Sequence, residues 1–286
     1  MSEATKNQRV KPDWLKIQLP TERTYFDVKD TVKTHKLHTI CESGKCPNVG
    51  ECWSRGTATF MILGDICTRA CRFCAVKTGR PEAVDWDEPA RVAESVFLMK
   101  LKHCVVTSVD RDDLADGGAA VWAATIKAIK AQNPQTTIEV LIPDFKGKAE
   151  LIHQVTAEKP EVISHNMETV RRLTRQVRRN SDYDRSLSVL KHVSEAGIRP
   201  KSGIMVGIGE TQAEVLETMD DLRAVGCEVL TIGQYLQPTK EHLEVSEFVS
   251  PEVFAFYKAQ GLAKGFRHVE SGPMVRSSYY AEKHVL

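Results

Sequence analysis

TATFMILGDICTRACRFC, residues 57–74, is the stretch on which the reading of this chain turns. Its first half is a continuous apolar run, the kind that forms a strand buried on both faces. Its second half places Cys67, Cys71 and Cys74 at a C-x3-C-x2-C spacing on the loop that follows. Three thiolates on one short loop can hold three irons of a cubane cluster, because iron–sulfur clusters are cysteine-ligated and normally want four such ligands. The fourth iron would then be open to a substrate. Upstream, CESGKCPNVGEC adds a second triplet, Cys41, Cys46 and Cys52, at C-x4-C-x5-C, so six of the eight cysteines fall in two groups of three.

Other chemistries compete for these thiols. A disulfide framework suits short secreted chains, and no secretory signal precedes this long one. Structural zinc is the stronger competitor, but zinc sites usually repeat a C-x2-C pair and close with four ligands. Here only Cys71 and Cys74 have the short spacing. Cys104 and Cys227 sit in apolar runs and read as small core residues.

Outward from this stretch, strand-like runs alternate with helix-period segments. HCVVTSV (103–109), TIEVLIP (137–143), EVISHN (161–166), GIMVGI (203–208) and EVLTIGQY (228–235) continue the strands that TATFMIL begins. Helical spacing recurs over 88–101, 118–132, 148–157, 167–178, 184–196 and 211–225. Such alternation predicts an α/β fold of βαβ units with a parallel sheet and right-handed crossovers. Six units curl into most of a barrel, short of the full eight. Before the barrel, residues 1–24 read as an extended arm with Trp14, Leu15 and Ile17 as docking points, and 25–38 as a short helix. Gly44, Pro47, Asn48 and Gly50 mark the first triplet as turning loop rather than helix. After it come a helix near 251–264, a short strand FRHVE and a tail.

With 286 residues, 42% hydrophobic, the chain can form one large domain, as α/β barrels of ~200–250 residues do. A net charge of +1 gives no footprint for bulk nucleic-acid binding. No apolar run reaches the ~20 residues that span a bilayer. The opening MSEATKNQRV has no signal-peptide core, and this many free thiols need a reducing compartment, so a soluble, cytoplasmic protein is expected.

In barrels of this kind functional groups lie on loops at the C-terminal strand ends. That rule gathers Asp110, Arg111, Asp112, Asp113 and Asp116 from the second strand, and Asp144 and Lys146 from the third. His165 and Asn166 follow the fourth, Gly207, Gly209 and Glu210 the fifth, and Gln234, Tyr235, Gln237 and Thr239 the sixth. Each also has a plain reading as a cap, turn or solvated charge. The run RRLTRQVRR at 171–179 spreads its charge around a helix, which makes a solvated face or one that meets an acidic partner or a carboxylate.

CESGKCPNVGECW, then CTRACRFC, then RSSY at 276–279 is a combination that resembles the lipoyl synthases, a family of radical S-adenosylmethionine enzymes. DEPARVAESV, RDDLADGG, LIPDFKG, SHNMETV, KSGIMVGIGE and QYLQPT extend the resemblance from about Trp14 to Tyr280. Neighbouring radical enzymes share the C-x3-C-x2-C loop without the other two motifs.

The resemblance implies a partial (β/α)6 TIM-like barrel over 58–250, an N-terminal extension (1–57) carrying the first triplet, and a C-terminal helix, strand and RSSY tail (251–286). It implies that Cys67, Cys71 and Cys74 hold a reducing [4Fe–4S] cluster whose open iron chelates S-adenosylmethionine. Cys41, Cys46 and Cys52 would hold an auxiliary [4Fe–4S] cluster that donates sulfur, with Ser278 as fourth ligand by motif position and Ser277 as the alternative. A hydroxyl oxygen is a harder, less retentive iron ligand than a thiolate, which suits a cluster meant to be dismantled. The implied reaction inserts two sulfurs at C6 and C8 of an octanoyl group carried on a lysine. Its partners would be an octanoylated lipoyl carrier domain (2-oxoacid dehydrogenase E2 or glycine cleavage H protein), an electron donor such as ferredoxin or flavodoxin, and an iron–sulfur carrier that rebuilds the cluster. Because unactivated C–H bonds yield to a radical and not to a base, no general base is expected. Asn166, Arg178 and Glu210 are the expected contacts to S-adenosylmethionine. TSVDRDDLADGG lacks the GGE triplet that many radical enzymes turn toward the methionine amine, which leaves its replacement open. Another radical sulfur-inserting enzyme and a non-catalytic iron–sulfur electron carrier are the alternatives.

Overall fold

The computed structural model describes residues 11–15, 20 and 22–285. Ten strands follow in chain order: β1 (His38–Thr39), β2 (Thr59–Ile62), β3 (Ile66–Cys67), β4 (Lys77–Thr78), β5 (His103–Ser108), β6 (Thr137–Leu141), β7 (Val162–Ser164), β8 (Arg199–Val206), β9 (Val229–Gln234) and β10 (His268–Gly272). Eight form one sheet in the order β1-β2-β5-β6-β7-β8-β9-β10, while β3 and β4 pair separately. From β2 to β10 every neighbour is parallel; β1 alone runs antiparallel, on β2. The sheet is open, so the six expected strands stand at the centre of a partial barrel, with β10 added at one edge and β1 at the other.

Why these residues take these elements is plain in the packing. Phe60, Met61 and Ile62 of β2 are buried, as a parallel strand covered on both faces requires. The helix Glu88–Leu98 carries Pro near its start and buries Val92 and Val96, one turn apart. Glu88 at its head accepts from the Leu63 backbone N–H at 2.7 Å, tying the helix to the turn after β2. The helix Gln212–Ala224 opens with a capping box between Thr211 and Glu214.

Three expectations need correction. The first-triplet segment is not all loop: Cys41 lies in a helical turn, Ile40–Ser43, capped by Thr39, and Cys52 in the helix Val49–Ser54. The segment 167–178 is not one helix but a short turn, Arg171–Leu173, followed by Thr174–Val177; the true crossover helix is Tyr183–Glu195. Its start is spent otherwise: Glu168 adopts φ 63° and bridges to Ile204, donating its N–H to the Gly203 carbonyl at 3.0 Å. In the arm, Leu15 is buried and Trp14 exposed, and Ile17 lies outside the described residues.

The tail runs the length of the barrel across its open seam. It leaves β10, crosses Gly233 of β9, meets Thr59 of β2 and ends in the short turn Ala281–Val285. There His284 is buried beneath the strands, its Nδ1 3.1 Å from Lys201 Nζ, and Arg199 donates to its carbonyl. Lys201 is itself fully buried and bonded to both oxygens of Glu139, at 2.7 and 2.9 Å. Removing one member strands the other charge. We expect Lys201→Met to cost about 3–5 kcal/mol by urea unfolding, and a Glu139→Leu/Lys201→Met pair to recover most of it. Equal stability of the single variant and the unaltered chain would refute this.

Candidate active site

The second triplet begins at the end of β3 and continues onto the loop beyond, at the strand-end face. Its loop is fixed by its neighbours: Thr68 donates its N–H to the Asp110 carbonyl at 3.0 Å, Arg72 donates to Val177 at 2.9 Å, and Leu243 donates back to Arg72 at 3.0 Å. His242 Nε2 lies 2.9 Å from the Cys74 carbonyl. Arg69, between Cys67 and Cys71, is almost wholly buried and gathers three carboxylates: Asp112 at 2.7 Å, Asp144 at 2.7 Å and Asp110 at 3.5 Å. Three of the acids that the strand-end rule collected are therefore joined through this one guanidinium. Burial opposes its charge, but the acids hold it protonated, and it in turn holds Asp144 down to about 2.

All six triplet cysteines are free thiols. Burial pushes Cys67 and Cys74 up to about 11 and Cys71 to about 12. The neighbouring thiols and Asp110 add to the rise at Cys67 and Cys71, and Glu168 and Asp110 at Cys74. In the first triplet burial again leads, lifting Cys41 to about 11 and Cys52 to about 12 and raising Cys46, with repulsion among the three contributing at Cys41 and Cys52. Each triplet is thus a desolvated set of sulfurs that resist carrying charge together without a cationic partner. Metal binding supplies that partner and displaces the protons. Among the described residues no three His, Cys, Asp or Glu side chains converge closely enough for a single ion. Cluster ligands need no such convergence, because each thiolate binds a different iron. The donor sets fit cubane clusters.

The first triplet is built with the tail. Thr59 Oγ1 donates to Ser278 Oγ at 2.9 Å, and the Thr59 backbone in turn interacts with the Cys41 sulfur. Asn48, between Cys46 and Cys52, donates to the Met274 carbonyl at 2.7 Å, and Tyr279 donates to Glu51 at 3.2 Å. Arg55 pairs with Glu282 and stacks on the Tyr280 ring. Burial lowers the Arg276 guanidinium's hold on its proton, and the charge of nearby Cys46 partly offsets this. Trp53 is fully buried against Tyr25, its indole N–H without an oxygen or nitrogen partner and turned toward Cys41. Gly233 admits the tail because a Cβ there would collide with the Val275 carbonyl. Gly233→Ala should cost about 1–3 kcal/mol and speed proteolytic cleavage of residues 273–285. An unchanged cleavage rate would mean that the crossing is loose.

The expected S-adenosylmethionine contacts divide. Asn166 and Arg178 come together: Arg178 donates to the carbonyls of Asn166 (2.9 Å) and Met167 (3.2 Å), and its charge favours the Cys71 thiolate. The Asn166 side-chain amide oxygen, Oδ1, is buried without a hydrogen-bond donor among the described residues. Glu210 has no contact with this pair; its carboxylate accepts from the backbone of Gly207 (2.5 Å) and Ile208 (2.9 Å). His165, expected beside Asn166, ties the Ile142 carbonyl to Ser186 from inside the core, and burial pulls its acidity to about 4. Glu168 was missed. Burial raises its carboxyl, and it stands within electrostatic reach of Cys74 and Arg178. Only its left-handed backbone, invisible in sequence, turns it this way.

The radical SAM superfamily model matches residues 61–222, and the model for the N-terminal domain of lipoyl synthase matches residues 2–46. The chain is 61% identical over 277 residues to the lipoyl synthase of Flavobacterium johnsoniae, covering 96% of each. It is 61% identical over 282 residues to that of Treponema denticola, covering 99% of this chain and 97% of the relative. Among solved structures it is similar to HydG, a maturase of the [FeFe]-hydrogenase, with TM-score 0.58 and 14% identity over 87% of this chain and 68% of that one, which speaks for the fold alone. Near-complete coverage at this identity, on a fold that brings the first cysteine triplet against the tail, places the chain in the lipoyl synthase family of radical S-adenosylmethionine enzymes.

Proposed function

We propose that the two triplets divide the work of lipoyl formation between them, on a chain organised as a cysteine-rich extension (1–57), a partial barrel (58–250) and a closing segment (251–286). Cys67, Cys71 and Cys74 would hold one [4Fe–4S] cluster, and Cys41, Cys46, Cys52 and Ser278 the other. When bound, these groups and S-adenosylmethionine supply the electron, the 5′-deoxyadenosyl radical and the sulfur that turn an octanoyl-lysine into a lipoyl-lysine. The observation that carries this reading is the tail serine, hydrogen-bonded to the same threonine whose backbone meets the Cys41 sulfur.

The remaining residues bind and orient. Asn166 and Glu168 offer a buried carbonyl and carboxylate, acceptors suited to the hydroxyls of a nucleoside. Arg178 fixes that corner through two backbone carbonyls and keeps a positive charge beside Cys71, where a substrate carboxylate would be welcome. Asp110, with its Oδ2 3.8 Å from the Cys67 sulfur, is the acceptor we assign to the methionine amine in place of a GGE triplet. Glu210 acts through the Gly207–Ile208 turn that it pins. Partial burial of the thiols limits the water that reaches reactive species at both triplets.

The test is anaerobic. Reconstituted protein is mixed with S-adenosylmethionine, dithionite and an octanoyl-lysine peptide, and the products are weighed by mass spectrometry. Two added sulfurs with 5′-deoxyadenosine alongside are expected. Deoxyadenosine without sulfur would leave radical chemistry but remove this substrate, and neither product from protein holding both clusters would favour an electron carrier.

A further inference from the structure

The arginine run at 171–179 is only partly used by the fold. Arg171 pairs with Asp184 and Asp221, Arg172 with Glu214, and Arg178 with backbone carbonyls. Arg175 and Arg179 are exposed, and among the described residues neither has a carboxylate at ion-pair distance. Together with Arg185, which is itself paired with Asp144 at 3.2 Å, they line an open depression of about 480 Å³. Asp182 is the one acid in its wall, and it is engaged in capping the backbone N–H of Arg185. Arg72, exposed and without an ion-pair partner among the described residues, lies on the neighbouring second-triplet loop, whose backbone is bonded to the Val177 carbonyl.

These guanidiniums therefore gather beside the second-triplet loop, at the strand-end opening of the barrel. On a chain of net charge +1 this is a local excess, and Arg175 and Arg179, without carboxylate partners among the described residues, repel one another. We propose that Arg72, Arg175, Arg179 and Arg185 form the docking surface for an acidic face of the octanoylated carrier protein. The proposal rests on the lipoyl-forming reading above and names where its protein substrate lands. An electron can reach a cluster through protein from several sides. An octanoyl-lysine must pass bodily through the opening, so charge placed at that opening serves the partner that has to enter.

The experiment uses the fully reconstituted enzyme and dithionite, with an octanoylated glycine cleavage H protein and, separately, a short octanoyl-lysine peptide free of acidic residues. Arg175→Glu/Arg179→Glu should raise KM for the carrier protein about tenfold and leave kcat and turnover of the peptide as they were. Raising the salt should weaken carrier use by the unaltered enzyme far more than by the variant. Arg175→Lys/Arg179→Lys should restore most of the loss. An unchanged carrier KM overturns the proposal. So does a variant that fails on the peptide as well, or one impaired only when a protein electron donor replaces dithionite. If the unaltered enzyme forms no lipoyl peptide, the functional reading falls, and the docking proposal with it.

Discussion

Cys71→Ala should reduce 5′-deoxyadenosine formation to the limit of detection and halve the iron, from about eight atoms per chain to about four. Cys71 belongs to a triplet whose loop is anchored on Asp110, Val177 and Leu243 by backbone hydrogen bonds. Losing one thiol should therefore leave the fold intact while removing a cluster ligand that no neighbour can replace. Arg178, whose charge favours the Cys71 thiolate, would be left facing an empty corner. The check is iron analysis with quantified deoxyadenosine under excess dithionite. Normal deoxyadenosine yield from the variant would remove this triplet from the radical chemistry and return structural zinc to consideration.

The second large effect is selective. Ser278→Ala should leave deoxyadenosine formation running while lipoyl product falls by at least the ten- to hundredfold, roughly, that even outer partners of a metal site can cost. Among the described residues Ser278 makes no hydrogen bond to the second triplet; its Oγ is hydrogen-bonded to Thr59, beside Cys41. Ser278→Cys makes the complementary case, since a thiolate holds iron more tightly than a hydroxyl and should give an auxiliary cluster that forms but releases sulfur poorly. Mass spectrometry of the peptide product, with iron content for each variant, decides it. Full lipoyl formation by Ser278→Ala would transfer the role to Ser277 or remove it.

Much of this architecture was legible beforehand because it is written in local pattern. Apolar runs such as TATFMIL and TIEVLIP fix parallel strands by length and composition. The C-x3-C-x2-C spacing needs nothing distant to be recognised, and the strand-end rule placed Asp110, Asp144 and Asn166 on one face. The first triplet was harder. Gly44 and Pro47 within it correctly marked turns, yet Gly50 lies in the helix Val49–Ser54, and Thr39 capping Glu42 and the burial of Trp53 drew Cys41 and Cys52 into helical turns.

What sequence alone determined is the alternation of strand and helix, the two cysteine groups and the terminal RSSY, all properties of neighbours along the chain. Only the tertiary structure decided which distant groups meet. Arg69 collects carboxylates from two separate loops, Glu168 turns toward Cys74 through a positive φ, and the tail crosses Gly233 to bring Ser278 beside Thr59, 219 positions away in the sequence. Such meetings depend on the order of strands in the sheet and on the seam left between its edges. Those follow from the packing of the whole core rather than from the period of any one segment.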